Sequence, residues 1–132
     1  MRQNMTDQGA KMKDFTIALI KPHGIRSKLE PHIIRIIEAC DFEIGYLANE
    51  TFSRERAKGY FKEYKTMNFY EELISYMTSG SSMILVLRKK NAVAEFNRII
   101  SIIKAVCGDI IEASASEEKA VRDMLYFFDE EV

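Results

Sequence analysis

Two stretches of this chain combine residue types that can handle a phosphorylated ligand. Lys21 follows the apolar run Phe15-Thr16-Ile17-Ala18-Leu19-Ile20 and opens the turn Lys21-Pro22-His23-Gly24. An ammonium at the carboxyl end of a buried strand can meet a phosphate, although the same lysine, and His23 beside it, also read as solvated turn residues. The second stretch is Gly59-Tyr60-Phe61-Lys62-Glu63-Tyr64-Lys65 followed by Phe69-Tyr70-Glu71-Glu72-Leu73. Aromatic faces beside lysines can sandwich a base and reach its phosphates, whereas periodicity alone makes Tyr60, Phe61 and Leu73 helix core. Cys40 and Cys107 have neither CxxC nor Cys/His ligand spacing and fall on the apolar sides of helices. They are expected to be buried free thiols of a reducing compartment.

The elements that must position these groups follow from hydrophobic period. The run 15–20, stopped by Pro and Gly, is a buried strand. Leu29, Ile33, Ile36, Ile37 and Cys40 repeat at helical spacing, with Pro31 accommodated in the first turn. Residues 42–52 alternate as a strand with one solvated face. Ser53 is the expected cap of a helix carrying Ala57, Tyr60, Phe61 and Tyr64 on one side. A further helix over 69–79 should end at Gly80 in a left-handed conformation. Met83-Ile84-Leu85-Val86-Leu87 is a buried strand. Asn91 should cap a long helix with Val93, Phe96, Ile100, Ile103 and Cys107 inward and Gly108 as its stop. Residues 109–114 form a last strand. Ser116 caps a final helix with Ala120, Val121, Met124, Leu125 and Phe128 as its apolar stripe.

This order predicts an α+β ferredoxin-like sandwich, a four-stranded antiparallel sheet with helices covering one face. Residues 1–13 lack hydrophobic period and are expected to be a disordered tail, leaving 14–132 as the folded domain. One domain is what 132 residues allow. The 19 basic against 20 acidic residues leave a charge of −1, so nothing global marks a nucleic-acid or anionic-membrane binder. No apolar leader or membrane-length run is present, and cytoplasmic residence is the expectation.

Several segments together resemble the nucleoside diphosphate kinase family in order over about residues 14–130. "TIALIKPHG" is similar to that family's first strand and Lys-Pro-Asp turn, and "YFKEYKTMNFYEELISYMTSG" to its Tyr-helix, Phe-Phe pair and Ser-Gly turn. "SSMILVLRKKNAV" resembles the next strand and helix start, and "EASASEEKAVRDMLYFF" the closing Ser-Asp-Ser, acidic helix and Phe-Phe pattern. The resemblance implies phosphoryl transfer between nucleotides through a phosphohistidine, with Mg²⁺ entering on the nucleotide's phosphates. It makes Lys21 a phosphate contact, Tyr60 the neighbour of the nucleophile, Phe69 the base-stacking aromatic and Leu73 its apolar neighbour. Asp109 stands at the asparagine before the histidine, Ser114 at the serine after it, and Asp123 at the acid that orients it. The resemblance implies dimers and trimers of dimers, and because the loop that makes much of the trimer contact is absent here, a homodimer is expected.

The chain departs from that pattern at its chemical centre. Asp109-Ile110-Ile111-Glu112-Ala113-Ser114-Ala115 replaces Asn-x-x-His-Gly-Ser-Asp, placing Glu112 at the nucleophile's position. Asn97 stands where the family has a phosphate-binding arginine, with Arg98 adjacent and within reach after a small shift. Ile103 replaces a phosphate-binding threonine. The loop with a second arginine before the last strand is absent, and a residue is inserted near Thr66-Met67. The expectation is a domain acting through nucleotide binding or protein association without phosphohistidine transfer. The alternatives are a slow nucleoside diphosphate kinase and a small-molecule-sensing ferredoxin-like module.

Overall fold

A computed structural model describes residues 14–128; the expected tail 1–13 and the last four residues of the expected domain lie outside that range. The elements are β1 (Phe15–Ile20), α1 (Pro22–Arg26), α2 (Glu30–Ala39), β2 (Glu43–Glu50), α3 (Arg54–Tyr60), a 3₁₀ turn (Lys62–Tyr64), α4 (Tyr70–Met77), β3 (Ser82–Arg88), α5 (Ala92–Cys107), β4 (Ile111–Ala113) and α6 (Glu117–Phe128). The strands form one sheet in the order β2-β3-β1-β4, and every neighbouring pair is antiparallel. This is the ferredoxin-type α+β arrangement.

The helices cover both faces of the sheet, not the single face expected. Along β1, Phe15, Ile17 and Leu19 enter a cluster with Phe52, Phe61, Ile74, Met77 and Phe127. Ala18 and Ile20 point the other way, into a cluster with Ile33, Ile37, Phe96 and Ile103. The crossover helices α2 and α5 therefore lie on one side and α3, α4 and α6 on the other. The reason is in the strands themselves. All six residues of β1 and the first six of β3 are buried, so neither face of the central strands can be left to water. Edge strand β2 is mostly exposed, with a bulge between Ile44 and Tyr46. Among the described residues no helix is long and apolar enough to cross a membrane.

The expected helix starts at Ser53 and Ser116 are present: their hydroxyls accept from Arg56 N at 3.1 Å and Lys119 N at 3.0 Å. Gly108, with φ 93°, ends α5. Four local expectations are corrected. Residues after Lys21 form the short helix α1, because Pro22 occupies its first turn, where no N–H is needed. Helix α4 ends at Thr78 without a left-handed glycine. The Thr78 and Ser79 hydroxyls donate to the carbonyls of Ile74 and Tyr76 at 3.0 and 2.6 Å, satisfying groups that a glycine cap would otherwise serve. Asn91 precedes α5 but makes no side-chain cap; it takes up φ 57°, a left-handed conformation that asparagine tolerates. In α6 the buried face is Ala120, Asp123, Met124 and Phe127, while Leu125 is exposed and Val121 and Phe128 are only partly covered. Cys40 and Cys107 are free thiols, as expected, but half-buried rather than buried: Cys40 caps α2 and Cys107 ends α5, where burial is incomplete.

Candidate functional site

The site begins where β1 ends. The Lys21 backbone N–H donates to Ile110 O at 2.7 Å, which extends the antiparallel pairing of Ile20 with Ile111 and Leu19 with Glu112. That register delivers residues 109–112 to the Lys21 side chain. Its Nζ donates to Glu112 Oε2 at 3.2 Å and to Asp109 Oδ1 at 3.3 Å. The lysine is buried, with its side chain 8% exposed, against 37% for Glu112 and 76% for Asp109. Lys104 Nζ lies 3.6 Å from the same Asp109 oxygen. Burial raises the Asp109 carboxyl, but the charges and hydrogen bonds of Lys21 and Lys104 outweigh it and hold the group below the ordinary carboxylate range.

Beside this cluster stands a second, deeper one. Asp123 is buried and accepts from Lys119 Nζ at 2.6 Å and from Ser114 Oγ at 2.8 Å. Burial pushes its carboxyl up, against the opposing pull of Lys119 and Ser114. Lys119 Nζ sits 4.5 Å from the centre of the Tyr60 ring, a cation–π contact that closes the cluster from above. The Tyr60 phenol is pushed well above its ordinary value by burial, with Asp123 and Glu112 adding to it, so it stays protonated. Tyr64 is also raised, by burial and then by Glu112 and Glu63, with Lys21 opposing.

The expected base platform lies next to Tyr64. The Phe69 ring is 5.7 Å from that of Tyr64 and is 43% exposed. Leu73 is half-covered and packs on the core beneath. The structure therefore brings together Lys21, Asp109 and Glu112, and, adjoining them, Tyr60, Ser114 and Asp123. Arg98 does not join them: its guanidinium pairs with Glu95 at 3.5 Å on the exposed side of α5. Its neighbour Asn97 donates to Ser114 O at 3.4 Å, while the buried Val93, Phe96 and Ile103 set the rotation of α5. His23 hydrogen-bonds the Tyr76 hydroxyl. His32 lines a groove of about 390 Å³ between α2 and the end of α5. Sequence reasoning missed Lys104 and Lys119. The only available signal was the i,i+4 spacing of Lys119 and Asp123.

The family model described as "Nucleoside diphosphate kinase" matches residues 14–107. The chain belongs to the nucleoside diphosphate kinase family. A protein named nucleoside diphosphate kinase from Methanocaldococcus jannaschii is 33% identical over 135 residues, covering 91% of this chain and 96% of the relative. One of the same name from Sulfurisphaera tokodaii is 35% identical over 131 residues, covering 88% and 89%. The first alignment is longer than this 132-residue chain, so that relative carries positions for which this chain has none. The crystal structure of the nucleoside diphosphate kinase from Encephalitozoon cuniculi superposes with a TM-score of 0.84 at 21% identity, over 89% of this chain and 90% of that one, which speaks for the fold. The family match stops at the end of α5, before Asp109 and Glu112. Only residues 108–110 separate α5 from β4, and Gly108, with φ 93°, makes that link a tight turn.

Proposed function

We propose that this nucleoside-diphosphate-kinase domain binds a nucleoside di- or triphosphate without passing a phosphoryl group through a histidine. The observation that carries the reading is the side chain facing Lys21: it is the carboxylate of Glu112, at 3.2 Å, while both histidines are placed elsewhere. In this reading Phe69 and Leu73 offer the base a platform and Lys21 meets the phosphates, with Tyr60, Ser114 and Asp123 as the wall. Among the described residues no group of three or more His, Cys, Asp or Glu side chains gathers as a metal site. In this reading Mg²⁺ enters on the nucleotide's phosphates, where it neutralises their charge. The protein acts as a homodimer, for which the edge strand β2, with Tyr46 and Leu47 exposed, offers a surface.

A second reading keeps the kinase activity, and the names of the relatives favour it. A Glu112 oxygen would attack the terminal phosphorus of ATP, ADP would leave, and the acyl phosphate would pass to an acceptor nucleoside diphosphate. Incubation with terminally labelled ATP, Mg²⁺ and GDP separates the two. The first reading expects no phosphoprotein and no labelled GTP above a Lys21→Ala control. Labelling that disappears in Glu112→Ala would replace it with the second.

A further inference from the structure

Lys21 is the group most suited to a phosphate, yet its charge is already taken. Both of its acidic partners sit within hydrogen-bond distance, on a lysine whose side chain is almost wholly covered. Backbone pairing holds them there: Glu112 is fixed opposite Leu19 in the sheet, and Ile110 O accepts from the Lys21 N–H. Neither carboxylate can leave by a shift of the chain without opening β1 from β4. Both can leave by side-chain rotation, since Asp109 is largely in water and Glu112 partly so. The balance of charge matters as well. Lys21 and Lys104 face Asp109 and Glu112, two positive against two negative, so the cluster as built has no net attraction for an incoming polyanion.

We propose that Glu112 and Asp109 are internal competitors for the phosphate site. Their carboxylates occupy the place at Lys21 that a nucleotide's terminal phosphate would take, and nucleotide affinity is set by how readily they swing away. The inference rests on the nucleotide-binding reading above and adds to it the device that limits the affinity. The same two residues determine ligand class. A nucleoside or a ligand with little negative charge meets no competition at Phe69 and Leu73, while each added phosphate must displace a carboxylate. A phosphate does not merely replace the carboxylates one for one, because displaced Glu112 remains tethered nearby and repels it.

The test is calorimetric titration of the full chain with Mg·ATP and, separately, with adenosine, on the unaltered protein and on Glu112→Gln, Asp109→Asn and the double variant. The amides keep the shape and some hydrogen bonding but remove the charge. Asp109→Asn lies on an exposed side chain and keeps the fold even if Glu112→Gln does not. The expected result is a Mg·ATP affinity increased about tenfold in the double variant, an effect of the size of one charge contact partly screened by water. Adenosine affinity stays unchanged, and the gain vanishes when Lys21→Met is added. Equal or weaker Mg·ATP binding by the amide variants, with measurable binding by the unaltered protein, overturns the competitor proposal and leaves nucleotide binding standing. No binding of Mg·ATP or adenosine by any variant overturns both.

Discussion

Removing the ammonium of Lys119 tests the deeper cluster most directly. Asp123 is buried and has two side-chain partners, Lys119 Nζ at 2.6 Å and Ser114 Oγ at 2.8 Å. Lys119→Met preserves the length of the side chain and its packing near Tyr60 but leaves the carboxylate with the serine alone. Stranding a buried charge costs about 3–5 kcal/mol, and because the Lys119 side chain is itself 21% exposed, water offsets part of that, leaving roughly 2–3 kcal/mol. For a domain of this size that corresponds to a fall in Tm of roughly 10 °C. The double variant Lys119→Met/Asp123→Asn should recover much of the loss, since a neutral amide still bonds Ser114. The pH dependence has a definite sign. Burial raises the Asp123 carboxyl above its ordinary value in the fold, so the native state holds a proton that the unfolded chain has already released. Stability is therefore fullest below the ordinary carboxylate range and declines as pH rises through the interval up to the raised folded value. Without Lys119 that interval extends upward, so Lys119→Met should lose little at pH 4 and most at pH 7. Urea denaturation followed by circular dichroism between pH 4 and 8 measures both quantities. A Lys119→Met protein that melts like the parent at pH 7, with the same pH slope, would refute the charge pairing.

Gly59→Ala should destabilise by about 1–3 kcal/mol, because an added Cβ would collide with the Tyr126 hydroxyl and displace a side chain that donates to Arg56 O at 2.7 Å. Chemical denaturation checks it, and an unchanged midpoint contradicts that close contact. Light scattering of the full chain should give the mass of a dimer, shifting toward monomer in Leu47→Lys on the exposed edge strand β2; a hexameric mass refutes the pairing proposed there.

The parts of the fold legible in the sequence are those governed by local period and local chemistry. β1 and β3 are apolar at nearly every position, and Ser53, Ser116 and Gly108 mark helix ends by their own side chains or by the lack of one. Misreadings occur where a residue serves a different purpose from its usual one. Asn91 supplies a left-handed backbone instead of a capping oxygen, and Gly80 is not needed as a cap because Thr78 and Ser79 close α4. The buried face of α6 differs from the apolar stripe because Asp123, a charged residue, turns inward. Its two partners make that burial tolerable, and no hydrophobic scale reads such a pairing. The site was legible as residue types but not as contacts. Lys21 and Glu112 lie 91 positions apart, and only the pairing of β1 with β4 brings them together. Nor does the identity of residue 98 reveal that Asn97, not Arg98, faces β4.

In the proposed nucleotide-binding reading, these contacts make the carboxylate at position 112 a competitor for the ammonium of Lys21. A neutral imidazole beside Lys21 would leave the ammonium free for the phosphate it is to receive, and binding would bring the phosphorus to the nucleophile. A carboxylate there binds the ammonium first. The group that would have to attack and the group that would have to hold the substrate then satisfy each other, and Asp109 completes the balance. Any ligand phosphate must separate them before it can be held, and the negative charge of Glu112 opposes its own attack on a negatively charged phosphorus. In the proposed reading, a carboxylate at this position turns the site from transfer toward gated binding, while the sheet and the Ser114–Asp123 hydrogen bond are left in place.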